Sequence, residues 1–323
     1  MRIFVTGGAG FIGLAVVRRL VQRGDRVVAV VRDPDRATAL TDLGVEMRAG
    51  DLSRTAAVLD AMRGTDAAIH IAGMYRVGIP AALRPAMHDA NVGVTHRILG
   101  AFARAGLDRL VYVSTINVAG DTKGRIIDER YRRDLSAGFL SYYDETKYLA
   151  HRAARERIDA GAPIVVVMPG VTYGAGDHSG VGQQLRGAHD GRLAFMALVD
   201  IGISAVYVED VAAGIVAALD RGRLGESYIL GGENTRLRDA LRSAARLGGR
   251  TLPRLELPTA LLRLGSHAPE SLARAAGLPD DLREVLRATL GVTYWASSAK
   301  AATELGYVPR DLGSGLRATF DES

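Results

Sequence analysis

Two side chains four residues apart, Tyr143 and Lys147, carry the clearest chemical signal in the sequence. On a helix that spacing puts both on one face. An ammonium there favours the phenolate and draws the tyrosine pKa toward neutrality. A phenol so placed gives a proton to a carbonyl oxygen or takes one from an alcohol. Eleven tyrosines and only three lysines (Lys123, Lys147 and Lys300) make about 0.1 chance Tyr-x-x-x-Lys matches in 323 residues. The chain otherwise prefers Arg, so a compact point donor at 147 is itself informative. The second signal is the turn Thr6-Gly7-Gly8-Ala9-Gly10-Phe11-Ile12-Gly13. Its glycines at 7, 10 and 13 permit a tight turn, close backbone approach to a pyrophosphate, and close packing of helix on strand. The helix that follows offers free N–H groups to the phosphates. Thr115 adds a hydroxyl at the end of a strand, on the sheet edge where ligands bind.

Such residues need parallel strands to carry them and helices to cover those strands. Apolar runs at Ile3–Thr6, Arg26–Val31, Val45–Ala49, Ala67–Ile71, Leu110–Ser114 and Ile164–Met168 read as strands buried on both faces. Between them, Phe11–Arg23, Arg54–Arg63, Ala90–Ala105 and Glu145–Ala160 have helical periodicity. Right-handed crossovers then give a doubly wound α/β sheet. After Pro169 the alternation loosens. Residues 200–220 are expected to return to the sheet as strand and helix, and Glu226–Leu230 to form another short strand. Leu237–Leu247 and Leu257–Leu290 read as helices interrupted by prolines. The expected division is a dinucleotide-binding domain of residues 1–170 plus about 200–225. A smaller, mostly helical substrate-binding subdomain takes about 171–199 and 226–323.

Composition narrows the function. Without cysteine there is no disulfide, no thiolate nucleophile and no thiolate zinc site. The seven histidines are scattered, with no HExxH. A net charge of +5 raises the question of nucleic acid, but the arginines are interleaved with acids and form no basic block, so none is expected. No apolar run is long enough to span a bilayer, and the N-terminus enters a strand with no leader-like stretch, so the cytoplasm is the expected location.

TGGAGFIG at the first turn resembles the signature of the extended short-chain dehydrogenase/reductases, the NAD-dependent epimerase/dehydratase family. The likeness continues through Gly50-Asp51-Leu52, Ile69-His70-Ile71-Ala72-Gly73, Asn91-Val-Gly-Val-Thr95, Val113-Ser114-Thr115 and Tyr143-Asp-Glu-Thr-Lys147. Tyr173-Gly-Ala-Gly-Asp177, Val206-Tyr-Val-Glu-Asp-Val211 and Gly225–Gly232 extend it over essentially the whole chain. The resemblance implies a Rossmann domain with cofactor contacts at Gly7, Gly10, Phe11, Ile12 and Gly13, then at Asp51, Leu52, Ala72, Lys147 and Pro169. Asp51 would bond the adenine; capping a helix at Leu52–Met62 is its other reading. The resemblance also implies catalytic roles for Thr115, Tyr143, Lys147 and Asn91. Aligned on the family's Ser/Thr-x-x-V-x-G run, Thr115 is the active hydroxyl and Ser114 the second choice. Asn91 supports the site through backbone or water, and His70 packs near the cofactor. Many relatives dimerise through the helices here near Ala90–Ala105 and Glu145–Ala160, whose Ala-rich faces permit a homodimer.

Val31-Arg32-Asp33-Pro34 ends the second strand. An acid there serves the ribose of NAD, whereas an Arg forks onto the 2′-phosphate of NADP. Family members that use NAD usually carry their acid where this chain has Val31, and the run resembles the dihydroflavonol-reductase-like branch. Arg32, with Arg36 as a second contact, therefore points to NADP ahead of NAD; Asp33, one register on, is the residue that would serve NAD. Nucleotide-sugar members carry Arg-Pro-x-Asn where this chain has Met168-Pro169-Gly170-Val171, and an Arg where it has Ile201–Ala205. A sugar diphosphate would lack partners unless Arg186 or Arg192 served. Reduction of a small or apolar ketone or aldehyde, or oxidation of the alcohol, is the first reading. A nucleotide-sugar epimerase or dehydratase is the alternative, and a cofactor-binding regulator with a dead site is the third.

Overall fold

The early apolar runs become one parallel sheet because each is flanked by a helix able to cover it. A computed structural model describes residues 1–258, 260–262 and 281–321, apart from the Arg36 side chain. The chain runs β1 (Arg2–Thr6), α1 (Phe11–Gln22), β2 (Arg26–Val31), α2 (Thr38–Asp42), β3 (Glu46–Ala49), α3 (Thr55–Met62) and β4 (Ala67–His70). It continues with α4 (Arg84–His88), α5 (Val94–Ala105), β5 (Leu110–Val113), α6 (Tyr142–Asp159) and β6 (Ile164–Pro169). Next come β7 (Val171–Tyr173), α7 (Gly180–Asp190), β8 (Gly202–Tyr207), α8 (Val208–Arg221), β9 (Ser227–Leu230), β10 (Glu233–Arg236) and α9 (Leu237–Leu247). Helices Leu282–Thr289, Ala299–Leu305 and Leu312–Asp321 follow, with β11 (Thr293–Tyr294) among them.

The main sheet has the order β3-β2-β1-β4-β5-β6-β9 and is parallel throughout. Alternation along each strand divides the core. Ile3, Val5, Ile69 and Val111 face α1 and α8, while Phe4, Val28, Ala68 and Tyr112 face α3, α5 and α6. The strand order reverses between β1 and β4, so the loops leaving these two strands diverge and open a crevice.

Two strands depart from the sequence expectation. Gly202–Tyr207, expected to rejoin the main sheet, instead centres a second sheet in which β8 pairs with β7, β10 and β11. All six of its residues are buried, so it reads from sequence like a central strand of the larger sheet. The cause lies at Gly170, where a Cβ would stand 2.3 Å from the Ser204 carbonyl oxygen. This contact brings the chain leaving β6 directly onto β8. The seventh place in the main sheet goes to Ser227–Leu230, expected in the smaller subdomain; it runs parallel to β6 with Tyr228 beside Val167. The residues expected to form a smaller, mostly helical subdomain also contribute strands, among them β7, β10 and β11. Of the helix expected at Leu257–Leu290, the structure has Leu282–Thr289; residues 259 and 263–280 lie outside the described part.

Helix α6 starts at Tyr142, three residues before the expected position. Ser141 caps it, its Oγ accepting from Asp144 N–H at 3.1 Å. Asp144 is almost fully buried and takes a forked pair of bonds from Arg133, at 2.5 and 2.7 Å, plus one from Leu140 N–H at 2.9 Å. Arg133 lies against the rings of Phe139 and Tyr148. This desolvated pair ties the loop before α6 to the turn that carries Tyr143. Among the described residues no helix is long and apolar enough to cross a membrane. Removing one partner strands the other charge, so Asp144→Ala should cost about 3–5 kcal/mol by urea unfolding. Replacing both with apolar residues (R133M with D144L) should recover most of that loss, and equal losses would refute the pairing argument.

Candidate active site

The glycine turn closes onto the end of β4. Gly7 has φ +73°, and a Cβ there would meet the Ala72 backbone nitrogen at 2.7 Å. A Cβ on Gly13 would lie 1.9 Å from the Gly7 carbonyl oxygen, so the first turn of α1 can sit against the loop only without one. Gly10 caps α1 without a side chain, and no acid occupies the first turn, so neither competes for its N–H groups with an anionic ligand. Phe11 and Ile12 lie in that first turn, half-buried. An uncapped helix start, a cradle a methyl would fill, and its place at the sheet's switch point fit the pyrophosphate of a dinucleotide.

Beneath the turn runs a chain of hydrogen bonds. Thr6 Oγ1 accepts from Ile71 N–H (3.2 Å) and Ala72 N–H (3.3 Å) and lies 2.7 Å from His70 Nδ1. The threonine thus donates to Nδ1, leaving the His70 Nε2–H for Thr95 Oγ1 at 3.1 Å; Thr95 in turn donates to the Asn91 carbonyl at 2.6 Å. Burial, with help from the Lys147 charge, holds the His70 pKa down at about 3. His70 is therefore a neutral strut in the fold, too weakly basic to share the acid–base work.

At the adenosine end, Asp51 and Arg32 are both exposed. Asp51 accepts from Ser53 N–H at 2.8 Å, and this bond first, with the Arg32 and Arg97 charges last, holds its carboxyl below the usual range. It is not a helix cap, since α3 begins only at Thr55. Leu52 gives its carbonyl to Arg97. Asp33 spends an oxygen capping the turn Pro34–Arg36 through Asp35 N–H at 3.2 Å. The Arg36 side chain lies outside the described residues. Pro169 is buried at the end of β6.

Tyr143 and Lys147 share one face of α6 and are nearly buried, 8% and 7% exposed. Thr115, at the end of β5, lies near enough to the Tyr143 phenol to act on its pKa, and caps its own loop by accepting from Asn117 N–H at 3.3 Å while donating to Asn117 Oδ1 at 3.2 Å. Ser114 is turned the other way, 2.9 Å from His151 Nδ1, which separates it from Thr115. The expected acidification of Tyr143 by Lys147 is absent. Burial pushes the phenol well above its ordinary value, with the Tyr75 hydroxyl adding to the effect and Thr115 opposing it. The ammonium turns away, toward the Val113 carbonyl at 3.4 Å and the face of Tyr112. Burial lowers its own pKa to about 8.

Asn91 occupies a π-helical turn, Asp89–Gly93, of a kind frequent at functional sites. Its Oδ1 accepts from Met74 N–H (2.7 Å), and its Nδ2 donates to Met74 O (3.0 Å) and Thr146 Oγ1 (2.9 Å). Thr146 donates in turn to the Tyr143 carbonyl. The expected support is therefore direct, through loop and helix. Sequence reasoning missed Thr146 and Tyr75. The latter follows Gly73 by two residues at the ligand-binding edge of β4, a position that offered a signal. Its ring meets that of Tyr143 edge-on, centroids 4.8 Å apart.

Because the folded pKa of Lys147 lies below its ordinary value of 10.5, the unfolded chain keeps a proton that the folded one sheds between pH 8 and 10.5. The cost of burying the charge is therefore full below pH 8 and fades as pH rises through that window. Lys147→Met is expected to unfold later in urea at pH 7, by up to about 3 kcal/mol, and to lose that advantage by about pH 10. An advantage independent of pH would contradict this.

A model of the NAD dependent epimerase/dehydratase family matches residues 3–231. A Synechocystis protein named for dihydroflavonol 4-reductase is 31% identical over 314 residues, 94% of this chain and 89% of its own. The 4-hydroxy-2-methyl-3-oxo-4-farnesyl-3,4-dihydroquinoline-1-oxide ketoreductase of Stigmatella aurantiaca is 30% identical over 315 residues, covering 96% and 92%. The crystal structure of gox2253 matches with a TM-score of 0.84 at 31% identity, covering 99% of this chain and 96% of that one. The chain therefore belongs to the NAD dependent epimerase/dehydratase family, the extended short-chain dehydrogenase/reductases, and is an NAD(P)-dependent enzyme.

Proposed function

We propose that the protein is an NADP-dependent reductase of an apolar ketone or aldehyde, with Tyr143 as the proton donor. The observation that carries this reading is the clustering of three buried side chains, Tyr143, Lys147 and Thr115, at the C-terminal end of the sheet. When bound, the nicotinamide supplies the hydride. Thr115 holds the substrate oxygen and steadies its growing charge, and Tyr143 gives that oxygen its proton. Lys147, one turn below, keeps a positive charge beneath the site through neutral pH and is free to donate to the nicotinamide ribose. Asn91 fixes the loop and the helix on either side. The uncapped start of α1 receives the pyrophosphate, between Gly7, Gly10 and Gly13. Arg32 is exposed for a 2′-phosphate, while Asp33 is engaged in its own turn, which favours NADP over NAD.

A nucleotide-sugar substrate, the second reading, needs cations for two phosphates. The places where the family's arginines are expected hold Met168–Val171 and Ile201–Ala205, and four of the latter, Gly202–Ala205, are buried in β8. Arg192, offered from sequence as a substitute, pairs with Asp190 at 3.0 Å. The relatives' names, a dihydroflavonol reductase and a ketoreductase of a farnesylated quinoline, lean the same way. A homodimer through α5 and α6 accords with this reading and leaves the site intact in each protomer.

The test is consumption of NADPH with a panel of ketones and aldehydes, one carbonyl reduced per NADPH. Tyr143→Phe should lower kcat by at least about 100-fold with NADPH affinity held within about threefold. Arg32→Ala should raise KM for NADPH about tenfold and leave NADH alone. Conversion of a UDP-sugar without net NADPH oxidation would overturn the reading.

A further inference from the structure

Between the end of β4 and the 3-10 turn Ala81–Leu83 that leads into α4, the chain runs beside Tyr143 as an irregular segment, yet it is pinned on both sides of Tyr75. On one side the Asn91 amide holds Met74 by its N–H and its carbonyl together. On the other, buried Glu284 takes the Gly78 N–H on Oε1 at 3.0 Å, and its Oε2 takes Arg84 at 3.2 Å. Asp281, the cap of the same helix, donates its N–H to the Gly78 carbonyl and accepts from Arg84 at 3.3 Å. The segment is thus a short span held at its two ends by side chains from two separate elements, Asn91 and Glu284.

Tyr75 stands on that span. Its ring meets Tyr143 at 88°, edge to face, yet 59% of the residue is exposed. Met74, beside it, is 38% exposed, and Ile79, Met87 and Tyr142 pack with Tyr143 behind. Aromatic surface held open next to a buried proton donor is surface that a ligand covers with gain. We propose that Tyr75 is the specificity-determining residue, a wall on which a flat apolar group of the substrate lies while its oxygen reaches Tyr143 and Thr115. The inference rests on Tyr143 as proton donor, and it selects carbonyl compounds with an aromatic or similarly planar group next to the reacting carbon.

Two variants and two aldehydes test it. With NADPH, Tyr75→Ala should lower the ratio of kcat/KM for 2-naphthaldehyde over propanal about tenfold, mainly through the KM of the aromatic aldehyde. Tyr75→Phe, which keeps the ring, should hold that ratio within about threefold. Calorimetric titration with 2-naphthalenemethanol needs no turnover, and its Kd should rise about tenfold in Tyr75→Ala. An equal fall for both aldehydes, an unchanged Kd, or no binding of the alcohol to the wild-type protein would overturn the proposal. If the alcohol binds as expected but neither aldehyde consumes NADPH, the wall stands and the reductase reading fails.

Discussion

Exclusion of water from the first turns of α6 governs the chemistry of the site. One cause moves two groups in opposite directions: the Tyr143 phenol is pushed up and the Lys147 ammonium down to about 8. Each moves toward its neutral form, as desolvation requires. The fold supplies this dryness by layering. Tyr143 and Lys147 are wedged between the end of β5 and the segment that follows β4, and the forked Arg133–Asp144 pair closes the start of the helix. A charge at 147 that survives such burial implies a compensating partner, and the Val113 carbonyl supplies part of it.

Much of the main sheet and its first four long helices was legible, because strands buried on both faces and amphipathic crossovers leave strong local patterns. The glycine turn was equally plain, since Gly7, Gly10 and Gly13 each meet a backbone atom where a Cβ would stand. What the sequence hid was long-range. Gly202–Tyr207 carries the apolar pattern of a central strand, and only the close approach of Gly170 to Ser204 assigns it to the second sheet. The spacing of Tyr143 and Lys147 predicted a shared face correctly. It could not say that the ammonium would turn toward Val113, because rotamers answer to packing, which spacing does not encode. Ser114 and Thr115 were hard to separate from sequence; opposite orientation at a strand end separates them, one toward His151 and the other toward Tyr143.

The family includes enzymes that oxidise and re-reduce one substrate as well as enzymes with net redox change, and its shared core explains why the glycine turn cannot tell them apart. Where nucleotide-sugar members are expected to carry arginines, this chain ends β6 with Met168-Pro169, turns at Gly170, and buries β8.

The Asn91 amide grips the Met74 backbone with one hand and Thr146 with the other, and Thr146 is bonded to the carbonyl of Tyr143 itself. The segment after β4 and the first turn of α6 are thereby yoked through one amide, so that a shift of Met74 is felt at Tyr143. A chain built this way has little freedom to accommodate bulkier or slimmer guests by bending that segment. Its diversification is channelled into exchanging individual side chains upon an unmoving frame.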